Sequence, residues 1–86
     1  MIEVTVHTKA NGGVVPECEV WYVPKGLSNK KERCKKFDRN SSPTSHALPP
    51  GNYFMWAKRG EGVGERLPVS PGEDGRVDKI VDLRAP

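Results

Sequence analysis

Two cysteines, two histidines and six aromatic side chains are spread over 86 residues. Each scarcity excludes something. Cys18, Cys34, His7 and His46 stand too far apart for any recognised zinc spacing, so no metal and no cofactor is expected. No run approaches the ~18 apolar residues that a membrane-spanning helix needs. No segment of useful length has helical periodicity, and no internal repeat is present. Gly60, Gly62 and Gly64 lack the spacing and the following helix of a nucleotide-binding loop. Ser45 and His46 are neighbours in an extended stretch and would face opposite sides, and no nucleophile-elbow motif surrounds them. The chain is therefore not expected to be an enzyme.

What is plentiful is punctuation. Gly 9 and Pro 8 make up roughly a fifth of the chain, against about 12% on average. They are scattered rather than clustered as a linker, so residues 1–86 read as one domain. The chain alternates from its first residues, without the basic and apolar blocks of a signal peptide. Either a cytoplasmic protein, or a mature or excised segment carrying an initiator Met, is expected.

Between the turns, the pattern has period two. Ile2, Val4, Val6 and Thr8 alternate with Glu3, Thr5, His7 and Lys9, which predicts a half-buried strand. Asn11-Gly12-Gly13 supplies positive-φ residues for a tight turn. A second strand follows over 17–23, with Cys18, Val20 and Tyr22 inward. Residues 44–48 predict a short strand, and 52–58 give the most strand-like run. Residues 65–70 predict an edge strand, because Pro68 cannot donate to a ladder. Residues 76–83 predict the last strand, with a bulge to reconcile Ile80 with Val81 and Leu83. Five or six strands between Gly/Pro turns point to a sandwich or small barrel. The expected core is Val4, Val6, Cys18, Val20, Tyr22, Leu48, Tyr53, Met55, Ala57, Val69, Val81 and Leu83.

Leu48-Pro49-Pro50-Gly51-Asn52-Tyr53-Phe54-Met55-Trp56-Ala57 carries more than generic pattern. Leucine, Pro-Gly, one residue, tyrosine and alternating apolar residues resemble the carboxypeptidase regulatory-like domains. The Val-rich opening, the Asn-Gly-Gly turn, Pro16 and Glu19-Val20-Trp21-Tyr22 resemble the first hairpin of that family. The resemblance implies an all-β, prealbumin-like (transthyretin-like), Greek-key sandwich of about six or seven strands. It also implies a non-catalytic accessory module of a secreted or cell-envelope protein. Residues 25–43 are longer and more basic than that pattern.

Two features are candidates for contact with a partner. The basic loop 25–43 includes Lys30, Lys31, Arg33, Lys35 and Lys36. Residues 25–39 hold seven Lys/Arg against Glu32 and Asp38, a local excess of +5 in a chain of +3, leaving −2 elsewhere. Such a loop attracts anions. Phe37, its single aromatic, is too little for a nucleic-acid stacking platform. The second feature is a set of outward aromatics. With Tyr53 and Met55 inward, Phe54, Trp56 and Trp21 face out. They would dock a protein partner or an adjacent domain; the alternative is carbohydrate stacking on the same rings. The cysteines leave two readings open: one buried hydrophobe with one loop thiol, or a Cys18–Cys34 disulfide, contributing about 3 kcal/mol if unstrained.

Overall fold

The computed structural model describes every residue except Asn40. Asn40 belongs to the basic loop 25–43 and lies outside the described residues. Among the described residues, the strands are β1 (Ile2–Ala10), β2 (Gly13–Val14), β3 (Glu19–Pro24), β4 (Lys35–Lys36), β5 (Thr44–Leu48), β6 (Tyr53–Arg59), β7 (Gly62–Val63), β8 (Leu67–Val69) and β9 (Asp78–Arg84). Two short 3₁₀ turns, Lys25–Leu27 and Lys31–Arg33, lie in the basic segment. The protein is all-β, and its strands form two sheets packed as a sandwich.

The first sheet is built around β1. β5 runs antiparallel along one side of it, from Ile2↔Leu48 to Val6↔Thr44. β9 runs parallel along the other, from Glu3↔Asp78 to Lys9↔Arg84. β2 returns on β1 through the Asn11–Gly12 turn, where φ is 52° and 78°. Both values lie in the left-handed region that Asn and Gly tolerate, as this hairpin turn requires. The second sheet is built around β6, which pairs antiparallel with β3 on one side and with β7 and β8 on the other. β4 lies outside β3.

The alternation in sequence becomes a division between two faces, because successive strand residues point to opposite sides. The core holds all the residues expected of it and adds Ile2, Phe37 and Ala85. Tyr53 and Met55 do point inward, 7% and 0% exposed. Tyr53 also ties its own turn, its hydroxyl donating to the Pro49 carbonyl at 2.8 Å. That bond fixes the Pro-Gly corner against the strand it feeds. Pro68 sits opposite Phe54 in β8, which has a pairing partner on one side among the described residues, as its missing N–H demands.

One expectation needs correction. The last strand has no bulge. Its parallel register with β1 is unbroken; Val77 precedes the strand and Ile80 faces solvent, 74% and 69% exposed. The basic segment makes the two 3₁₀ turns and the short strand β4. Phe37, the aromatic of the basic loop and absent from the expected core, is buried. Its N–H donates to the Val20 carbonyl at 2.9 Å, and its ring is 1% exposed.

Gly64 is required by packing. A Cβ on Gly64 would lie 2.6 Å from the Arg84 carbonyl oxygen, so the β7–β8 connection passes against β9 with no room for a side chain.

Candidate functional site

The outer face of the second sheet gathers the sequence-predicted aromatics. Trp21 is paired with Trp56, and Val23 with Phe54, across the β3–β6 ladder. None of the four belongs to the inter-sheet core. They are not equally open, however. Trp21 and Phe54 are half-buried, Trp56 is 6% exposed and Val23 is fully buried. The expectation of three freely exposed rings is corrected in this respect.

Cations cover the rings. The Arg66 guanidinium stacks over Trp56 at 4.2 Å from the ring centre. The Lys58 ammonium lies 5.7 Å from the centre of Trp21, and that of Lys25 lies 5.4 Å from the centre of Phe54. A cation over an indole or phenyl face is attracted by the ring quadrupole. Arg66 is further anchored, its Nη1 donating to the Ser28 carbonyl at 3.1 Å. The start of the basic segment is thereby drawn onto this face. Lys25 N–H, donating to the Asn52 carbonyl at 3.0 Å, pins the same segment to the turn before β6.

Glu19 and Lys36 complete the face. The Lys36 Nζ donates to a Glu19 carboxylate oxygen at 2.9 Å. That bond holds the Glu19 carboxyl below its usual range, against the opposing effect of partial burial, with smaller help from Trp21 and Lys58. The Trp21 indole N–H is buried and makes no hydrogen bond among the described residues. It is near enough to favour the Glu19 charge yet is not in hydrogen-bond geometry.

The remaining basic residues part company. Lys36 is engaged on the aromatic face. Arg33 and Lys35 instead border a groove between β5 and the β3–β4 edge. Lys30 and Lys31 are exposed. The disulfide expectation is corrected: both cysteines are free, Cys18 buried and Cys34 half-buried. Cys34 Sγ donates weakly to the Lys30 carbonyl at 3.9 Å. No group of three or more potential ligands is placed to hold a metal among the described residues. Among the same residues, no helix is long and apolar enough to cross a membrane.

Sequence reasoning found the aromatic row but missed its cationic cover. Lys58 had a local signal, since it follows Trp56 by two and shares its face. Arg66 had none, because its contact with Trp56 depends on how the β7–β8 connection folds back.

No protein-family model matches the chain, and no curated protein is significantly similar to it.

Proposed function

We propose that the chain is a non-catalytic interaction module that docks an acidic protein surface on the outer face of its second sheet. One observation carries this reading: Trp21, Phe54 and Trp56 share that face, each beneath a cation. Aromatic and arginine side chains are the groups that most often anchor protein interfaces. Lys25, Lys58 and Arg66 are cations that a partner's carboxylates can engage from above. Complementary charge of this kind speeds encounter and fixes register.

The serine hydroxyls support a structural role. Ser42 accepts from the Thr8 N–H, Ser45 bonds Thr5, and Ser70 donates to Asn52. His46 lies against Phe37 and Tyr22, away from Ser45 and Thr5. The resemblance to carboxypeptidase regulatory-like, prealbumin-like domains points the same way, toward an accessory module. The two-sheet sandwich and the Tyr53–Pro49 bond support it. A sugar-stacking reading needs bare ring faces, and here each ring carries a cation.

The two tryptophans of the chain both lie on this face, so intrinsic fluorescence reports on it alone. The test titrates the protein with a tryptophan-free peptide alternating Glu with Leu and Phe, and with its Lys counterpart. The expected result is a saturable emission change with the acidic peptide, weakened by salt and lost in the Lys25→Glu/Lys58→Glu variant. No saturable change, or an equal response to the basic peptide, refutes the reading.

A further inference from the structure

On the inner side of the second sheet, at its β3–β4 edge, the two sheets do not close on each other. The gap between β5 and the β3–β4 pair is a groove of about 370 Å³. That is within the ~300–1,000 Å³ range of small-molecule sites. Its wall is aromatic and apolar: Tyr22, Tyr53, His46 and Leu48 line it. The rings form one connected cluster. Tyr22 lies 6.3 Å from Tyr53 and 6.0 Å from His46, centre to centre, and Phe37 backs His46 at 5.0 Å.

The polar groups in it are unevenly used. The Tyr53 hydroxyl is committed to the Pro49 carbonyl. Tyr22 is 9% exposed, and its hydroxyl has no hydrogen-bond partner among the described residues. It is not sealed in the interior, since Trp21 Nε1 is the fully buried side-chain polar atom left without a partner there. A nine-tenths-buried phenol therefore presents a free donor to the groove. Burial, with smaller effects from Tyr53 and Asp38, raises its pKa, so the donor keeps its proton. Arg33 and Lys35 stand at the mouth, and neither forms an ion pair among the described residues. No carboxylate lines the groove among the described residues; Asp38 is the acid whose charge reaches Tyr22.

A larger and more open depression, about 800 Å³, lies where Lys9, Arg59, Asp82 and Arg84 meet the last residues. Lys9 pairs there with Asp82 at 3.3 Å, and Arg59 donates to the Pro86 carbonyl at 3.0 Å, while the Arg84 guanidinium has no side-chain partner among the described residues. The groove by Tyr22 is set apart by its aromatic wall, whereas the depression is lined by no aromatic residue among the described ones and holds the Asp82 carboxylate.

We infer that this groove binds a small organic anion with a flat apolar body, its ring against Tyr22, Tyr53 and Leu48 and its acid group at Arg33, Lys35 and the Tyr22 hydroxyl. The fit is one of charge and shape together. An apolar plane is matched by an aromatic wall, and an oxyanion by one guanidinium, one ammonium and one phenol, donors that bind anions strongly when partly desolvated. The site is on the other side of the sheet from the tryptophan face and does not depend on that face's role.

The test uses anilinonaphthalene sulfonate, an aryl anion that fluoresces when it leaves water, beside the neutral phenylnaphthylamine that lacks the sulfonate. The full 86-residue chain is titrated with each. The sulfonate is expected to saturate at one molecule per chain and to bind about tenfold tighter than the neutral compound. Arg33→Gln/Lys35→Gln should weaken the sulfonate by about tenfold or more. Tyr22→Phe should weaken it roughly threefold. Arg33 and Lys35 are exposed, so the double variant should keep the thermal midpoint of the parent, which the same samples report. Absence of saturable binding, equal affinity for the two compounds, or undiminished sulfonate binding by the double variant overturns the inference.

Discussion

Replacing Phe37 by alanine tests whether the basic segment is fastened to the sandwich or merely solvated. In sequence Phe37 stands in a run of charged residues. In the structure its ring is 1% exposed, meets Tyr22 edge-on at 5.4 Å and lies 5.0 Å from His46. Truncating a buried phenylalanine costs about 3–5 kcal/mol, and the lost aromatic pair accounts for roughly 0.5–1.5 kcal/mol. A domain of this length is stable by something on the order of 4–13 kcal/mol. The variant should therefore lose a large part of its stability, with the thermal midpoint falling on the order of 15–35 °C. Phe37→Leu keeps most of the apolar volume and should cost roughly 1–2 kcal/mol. Val77→Ala serves as the control: Val77 is 74% exposed, and its truncation should stay within about 0.5 kcal/mol. Urea unfolding followed by tryptophan emission measures all three. If Phe37→Ala behaves like Val77→Ala, the segment is not anchored and the groove beside it has no fixed wall.

Other perturbations have outcomes of different kinds. Tyr53→Phe removes the bond to Pro49 and should cost about 0.5–1.5 kcal/mol in the same assay, with the fold retained. Trp56→Ala should destabilise by about 3–5 kcal/mol despite its place on an outer face, and a double-mutant cycle with Arg66→Ala should give a coupling of roughly 0.5–1 kcal/mol. Glu19 has its pKa lowered in the folded state, chiefly by the Lys36 bond. Its contribution is complete above the ordinary carboxylate pKa and is lost as pH falls through the lower folded value. Lys36→Met should flatten that acid limb by less than ~1 kcal/mol, since the pair is partly exposed. Both tyrosines have pKa values raised by burial. The stability they lend is complete below the ordinary phenol pKa and is lost as pH rises through the folded values, so ultraviolet titration should show ionisation displaced above pH ~10. Thiol reagents should modify Cys34 in the native protein and Cys18 only on unfolding, with no mass change on reduction.

The inter-sheet core was legible because alternation alone assigns faces. Val4 and Val6 could point only one way, and Tyr53 with Met55 followed from the same rule. Thr44–Leu48 was bounded by turn chemistry on one side and Pro49-Pro50 on the other. Phe37 was not legible: one aromatic among cations has no period, and its burial is decided by β4 joining the edge of β3. The covering of Trp56 was hidden for a similar reason, since Arg66 and Ser28 come together only in three dimensions. The last strand misled because Ile80 is apolar yet faces water; its register is imposed by parallel pairing with β1, not by its own composition. The groove was invisible too, because it is a gap between sheets whose walls come from β3, β5 and the basic segment together.

Amide chemical-shift mapping of the labelled protein during titration with the acidic Glu/Leu/Phe peptide addresses the docking surface directly. Shifts concentrated on the β3 and β6 amides and on both indole N–H signals, with β1 and β9 unmoved, are the predicted outcome. Perturbations that fall on β1 and β9, or none at saturating peptide, contradict it.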